Sequence, residues 1–162
     1  MSGVSLLVTA YFWLIKSRKE QPHLEFHQLS DFRATLRSHP AKPDCKRLIV
    51  QQLDTGGVLI VNHSTRQNSV VLFDCVVKTP GGKVFGDWGY GGEDKPPWNI
   101  APESTIAFSP ACFFDVPQDY EIPDDLEFTV IFHTASGRPF RQKFSLQAPR
   151  RSEIAAESRK AA

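Results

Sequence analysis

The order of apolar and polar positions divides the chain into three kinds of stretch. The first is one-sided. Val4-Ser5-Leu6-Leu7-Val8-Thr9-Ala10-Tyr11-Phe12-Trp13-Leu14-Ile15 has only Ser5 and Thr9 as polar residues and stops at Lys16-Ser17-Arg18-Lys19. It lacks the polar face of a soluble surface helix, and aromatic then basic residues are the order in which a spanning helix leaves a bilayer. The pattern predicts a membrane helix over 1–19. From Gly3 to Ile15 such a helix rises only about 20 Å, against roughly 30 Å of hydrocarbon. The shortfall is met if the apolar segment continues upstream of Met1, or if the helix thins the bilayer or lies in the interface. A cleaved secretory signal fits less well, because the charges follow the run and Glu20-Gln21-Pro22 is no small-residue cleavage site. Lys16, Arg18 and Lys19 then predict a single-pass protein, with the lipid bilayer as partner of residues 4–15 and the folded domain on the cytoplasmic side.

The second kind of stretch, 20–44, is polar and punctuated by Pro22, Pro40 and Pro43. It reads as a juxtamembrane connector. Its one alternating run, Leu24-Glu25-Phe26-His27-Gln28-Leu29, has the pattern of a short edge strand.

The third kind, 45–147, alternates with period two between turn signals. Strands are predicted over 47–53, 58–63, 69–78, 104–108, 126–133 and 139–146. Asp54-Thr55-Gly56-Gly57, Thr79-Pro80-Gly81-Gly82 and Ala135-Ser136-Gly137-Arg138 carry turn chemistry. Alternation places Val71, Phe73, Cys75 and Val77 on one face of their strand and Asp74 on the other. In the last strand it turns Phe140, Phe144 and Leu146 inward, and Arg141 and Lys143 outward. The glycine-rich stretch from Phe85 to Asn99 and the Pro/Asp-rich stretch after Phe108 read as connections. The expected class is all-β, an immunoglobulin-like antiparallel β-sandwich, with 148–162 as a flexible charged tail.

Composition sharpens this picture without changing it. A hydrophobic fraction of 41% that includes 12 Phe, 3 Trp and 3 Tyr supplies the core of one domain, and 12 Pro with 10 Gly favour turns over long helices. A net charge of +1 implies no nucleic-acid face and no acidic tail. Cys45, Cys75 and Cys112 make an odd set without Cys-x-x-Cys spacing. At least one thiol is therefore free, which agrees with a reducing compartment.

Three stretches carry a resemblance. Val61-Asn62-His63-Ser64-Thr65-Arg66-Gln67-Asn68-Ser69-Val70 forms a strand, Asn, polar-turn, strand corner. Pro96-Pro97-Trp98-Asn99-Ile100-Ala101-Pro102-Glu103-Ser104 leads through prolines into a strand, and Thr134-Ala135-Ser136-Gly137-Arg138-Pro139-Phe140 makes a hairpin. Together they resemble small bacterial membrane-anchored immunoglobulin-like domains of unassigned function. The resemblance implies fold, one membrane helix and no particular activity.

Candidate chemistry is sparse. Ser64, His63 and Asp74 are the residue types of a nucleophilic triad. Neighbours on a strand point to opposite faces, however, so His63 is poorly placed to serve Ser64, and hydrogen bonding within the turn is the simpler role. His23, Glu25 and His27 alternate in a way that would suit a metal, without the His-Glu-x-x-His order of zinc proteases. Asp115, Asp119, Glu121, Asp124 and Asp125 lack the residue order of a calcium loop. Asn62-His63-Ser64 is a glycosylation triplet only in a eukaryotic lumen. No phosphate-binding loop or dinucleotide fingerprint occurs, and no cofactor is implied.

The strongest candidate surface is the glycine-rich excursion. Trp88, Tyr90 and Trp98, with Asp87 or Glu93 beside them, suit a protein pocket or the face of a sugar. The prolines around Trp98 point instead to a ring that caps the domain. The expected function is a membrane-tethered, non-catalytic module for protein interaction or a structural role. The alternative is a small-ligand or carbohydrate-binding domain that uses the Trp88–Trp98 loop, and ring exposure separates the two.

Overall fold

Among the residues that the computed structural model describes, 3–52, 56–90 and 95–149, one helix precedes eleven strands. The helix is α1 (Gly3–Glu20). The strands are β1 (Leu24–Gln28), β2 (Phe32–Ser38), β3 (Cys45–Gln52), β4 (Val58–Asn62), β5 (Asn68–Thr79), β6 (Gly82–Tyr90), β7 (Trp98–Ile100), β8 (Thr105–Phe108), β9 (Pro110–Pro117), β10 (Glu127–Thr134) and β11 (Pro139–Ser145). They make two antiparallel sheets. One has the order β1-β4-β8, and the other runs β11-β10-β5-β6-β9-β3-β2 with β7 paired to the start of β5. The all-β class stands. The tail predicted over 148–162 lies, from residue 150 onward, outside the described residues.

The membrane helix does not stand. No helix among the described residues is long and apolar enough to cross a membrane. All 18 residues of α1 rise about 27 Å, and its last turn and a half is spent on Lys16, Arg18, Lys19 and Glu20. The transmembrane, single-pass reading, and the cytoplasmic placement built on it, are therefore withdrawn. Tyr11, Phe12 and Trp13 of this helix are each more than 60% exposed.

The segment 20–44 is more than a connector, since it supplies two strands. β1 enters the small sheet beside β4, with Leu24 opposite Asn62, and β2 forms the edge of the large sheet beside β3. Leu24, Phe26 and Phe32 are buried because each sits at an inward position of its strand.

The large sheet curls around the core until its two ends meet. The amide of Phe32, at the start of β2, donates to the carbonyl of Leu146, just past β11, at 2.7 Å. Gln28 fastens the same seam, its Nε2 donating to the Ser145 carbonyl at 2.9 Å. The small sheet packs across the open side, where Phe26 stacks on Phe132 at 4.1 Å between ring centroids. Phe73 lies at the centre, fully buried, with Trp98, Phe108 and Phe132 all within 6.2 Å. Such aromatic pairs each add about 0.5–1.5 kcal/mol beyond the area they bury.

β6, β7 and β9 occupy stretches that the residue pattern presents as connections. β6 pairs with β5 as far as Gly86 and with β9 from Asp87 onward, so one strand passes from one half of the sheet to the other. Gly86 is required by this crossing. A Cβ there would lie 2.5 Å from the Phe113 carbonyl oxygen and closer still to the Phe114 ring. Gly89 is pressed in the same way, 2.8 Å from the Phe113 ring. The glycines thus mark close backbone approach inside a strand. β9 buries Cys112, Phe114 and Val116 behind its prolines.

Beneath the crossing, Cys75 of β5 and Cys112 of β9 form a disulfide with Cα atoms 6.2 Å apart, and Cys45 is free. In β5 the alternation slips. Val70 and Phe73 are both buried while Val71 and Leu72 are exposed, at the register shift opposite His133 and Thr134. A β-bulge accounts for this, since one extra residue turns Val71 away from the core face expected for it.

Candidate functional site

The residues singled out from the chain are scattered by the fold. Trp98 is 9% exposed and packs on Phe73 and Phe108. Trp88 is partly buried with its ring 4.8 Å from that of Phe73. Both indoles serve the core, and they form no open aromatic platform. Asp87 is exposed on β6. The Tyr90 side chain and Glu93 lie outside the described residues.

Ser64, His63 and Asp74 are held by different partners. Ser64 is 1% exposed, and its Oγ lies 2.8 Å from both Asn62 Oδ1 and the Arg66 carbonyl. His63 Nε2 faces Glu25 at 2.6 Å, and Asp74 faces His133 Nε2 at 2.8 Å. No pair among the three has the contact that base-assisted attack requires. Around Asn62 the corner is closed completely. Its Nδ2 donates to the carbonyls of Arg66, Ile100 and Ala101 at 2.9–3.1 Å, and its Oδ1 accepts from the Ser64 amide and Asn68 Nδ2.

Glu25 does bring histidines together. It contacts His27 Nε2 at 3.3 Å as well as His63, and the His23 and His63 rings lie 5.2 Å apart. Even so, among the described residues no group of three or more His, Cys, Asp or Glu side chains is disposed to hold a metal ion.

The acidic set separates too. Asp115 sits on β9, where Lys42 Nζ donates to its Oδ2 at 2.6 Å and His39 and Arg47 approach its Oδ1 at 3.2 and 3.5 Å. The Lys42 hydrogen bond, aided by the nearby His39, Lys42 and Arg47 charges and opposed by partial burial, holds the Asp115 carboxyl below the usual carboxylate range. The same contact raises the Lys42 ammonium above its ordinary value.

What the fold builds instead is a cleft of about 550 Å³ on the outer face of β11-β10-β5-β6, closed at one end by Pro123, Asp125 and Leu126. Its floor follows from antiparallel register. Val76 lies opposite both Thr129 and Phe85, Thr129 opposite Lys143, and Ile131 opposite Arg141. These side chains face out because their neighbours Cys75, Val77, Phe128 and Val130 face the core. Phe85 is 70% exposed, the most exposed large hydrophobic residue of the strands among the described residues. Lys78 and Lys83 are directly opposite one another across β5 and β6.

The cleft itself is lined by more cations than carboxylates. Four basic side chains and two carboxylates line the cleft. Lys143 is paired with Glu127. A third carboxylate on the face, Asp74, is held by His133. Lys78, Lys83 and Arg141 have no ion-pair or hydrogen-bond partner among the described residues. Sequence reasoning turned Arg141 and Lys143 outward but missed the face as a unit. The available signal was the Thr79-Pro80-Gly81-Gly82 turn, which places Lys78 and Lys83 opposite once Phe85 is read as part of a strand.

No family model matches the chain, and no curated protein matches it. Among solved structures it is similar to the Bordetella pertussis protein assigned the name ApaA. That likeness has a TM-score of 0.40 and 16% identity, over 81% of this chain and 98% of the other. It is also similar to the structural-genomics target SoR45, with a TM-score of 0.40 and 15% identity, over 79% of this chain and 87% of the other. Both likenesses are too distant to carry a functional inference.

Proposed function

We propose that this chain is a non-catalytic, immunoglobulin-like β-sandwich module that works by binding a protein through the outer face of β11-β10-β5-β6. One observation carries the reading. Ser64, His63, Asp74, Glu25 and Asp115 are engaged within the chain. Phe85, by contrast, stands 70% exposed on a face whose Lys78, Lys83 and Arg141 side chains have no ion-pair or hydrogen-bond partner among the described residues. An exposed aromatic group in a lined cleft is the kind of anchor around which protein interfaces are organised. What supports the sandwich description is two antiparallel sheets packed over an aromatic core. The carbohydrate alternative loses its platform, because Trp88 and Trp98 pack on Phe73.

The test compares proteins recovered with the wild-type chain, with Phe85→Glu and with a control at Asp119→Lys, from cells that produce the protein. Thermal unfolding establishes that all three fold. Phe85→Glu is expected to lose specific partners at least about tenfold, the scale of a central interface anchor, while the control keeps them. Retention by Phe85→Glu overturns the reading.

A further inference from the structure

Resting on that reading, we infer that the partner presents an acidic, extended segment with an apolar side chain between its carboxylates. The charge pattern carries this. Lys78 and Lys83 oppose each other directly across two strands, an arrangement of like charges that destabilises a sheet. Glu127, next in register beside Lys78 on β10, is engaged with Lys143. An anion brought from outside removes the repulsion and satisfies Arg141 on the other side of Phe85. Complementary charge of this kind steers encounter and fixes register.

The dimensions fit a peptide. Arg141 stands three strands from Lys83, about 14 Å at roughly 4.8 Å spacing, and in the row of Asp74, four residues or about 13 Å along β5 from Lys78. The two ends are therefore roughly 20 Å apart, which an extended chain spans with about six residues at about 3.3 Å each. With Lys78 and Lys83 at one end and Arg141 at the other, carboxylates fall near the two ends and an apolar side chain falls over Phe85, Val76 and Ile131. A nucleic acid suits the face poorly. Three cations without partners among the described residues supply little of the counterion release on which binding of a continuous phosphate backbone depends.

The experiment follows amide and side-chain resonances of the isotopically labelled full chain during titration. The probes are a glutamate- and aspartate-rich peptide with one central phenylalanine, its glutamine and asparagine counterpart, inorganic phosphate, and a single-stranded oligonucleotide. The inference expects the acidic peptide alone to shift Val76, Phe85, Thr129 and Ile131, with affinity falling as salt rises. It also expects affinity to fall about tenfold or more in Lys78→Glu and in the milder Lys83→Gln, whose spectra verify the fold. Equal binding of the uncharged peptide overturns it in favour of a purely apolar groove. Equal or tighter binding of phosphate or of the oligonucleotide overturns it in favour of another ligand class. Absence of any shift on this face also overturns it. If the acidic peptide fails while Phe85→Glu still loses its cellular partners, the inferred chemistry of the partner falls and the binding-module reading stands. If both fail, both fall.

Discussion

The corner around Asn62 and the outer face around Phe85 are both polar places on an otherwise apolar scaffold, and they are built to opposite rules. At the corner, Asn62 is fully buried and each side-chain atom able to hydrogen bond has a partner inside the chain. On the outer face, which carries an exposed phenylalanine, the side chains of Lys78, Lys83 and Arg141 have no partner among the described residues. Buried polar groups must be satisfied because their alternative is an unpaired dipole in low dielectric, whereas exposed cations are satisfied by water at little cost. The corner's polarity is therefore spent on folding. That of the face remains available to a partner.

The most severe break of this contrast is at the corner. Asn62→Ala takes the side-chain acceptor from the Ser64 amide and the side-chain donor from the Ile100 carbonyl. It leaves Asn68 Nδ2 and the carbonyls of Arg66 and Ala101 with one hydrogen bond fewer, to Ser64 Oγ and Ser104 Oγ alone. Unfolding in urea is expected to show a loss of about 3 kcal/mol or more. A loss below about 1 kcal/mol would mean that water replaces the asparagine, and the corner would then not differ in kind from the face.

How much of this was legible from the chain depends on which force set each element. β4, β10 and β11 follow simple alternation between turn residues, and Phe128, Val130, Phe132 and Phe144 are buried as their periodicity requires. Cys75 is buried and Asp74 faces outward, as expected. β6 was missed because Gly86 and Gly89 carry the local signature of a turn, while their actual role is set by the Phe113 and Phe114 side chains of a distant strand. β9 was missed because Pro110, Pro117 and Asp115 mask its buried alternation. The bulge that turns Val71 outward and the Cys75–Cys112 pairing depend on register and crossing, which a linear pattern does not contain. For α1, the apolar run is real, but a helix long enough to span needs residues that this segment gives to charge. The candidate site was legible only as outward-pointing Arg141 and Lys143. It became a face when the unrecognised β6 brought in Lys83 and Phe85.

Asp115 tests an intermediate case, a charge cluster that is half exposed yet internally paired. Asp115→Asn is expected to cost about 1 kcal/mol near neutral pH, since partly exposed pairs are screened by solvent. The sign of its pH dependence follows from the lowered carboxyl. Its contribution is complete above the ordinary carboxylate value of about 4 and is lost as pH falls through the lower folded value, so wild type and variant converge in acid. Thermal unfolding across a pH series measures this. A difference that persists unchanged into strong acid would mean that Asp115 acts through packing, not charge.

The smallest effect is the most discriminating. If the outer face keeps like charges together for a partner, removing one should help the isolated domain even as it harms binding. Lys83→Glu sets a carboxylate opposite Lys78 and exchanges a repulsive cross-strand pair for an attractive one. Exposed cross-strand pairs of this kind are worth roughly 0.2–1 kcal/mol, so denaturant unfolding is expected to show a gain of a few tenths. A glutamate at the Asn62 corner would gain nothing of this sort, because the position is fully buried and a charge there would be left in low dielectric. A loss of stability in Lys83→Glu would place Lys83 among the groups that hold the sheet together, and the outer face would then be spent on folding as the corner is. A gain in stability with loss of the acidic peptide would separate what this lysine does for the fold from what it does for a ligand.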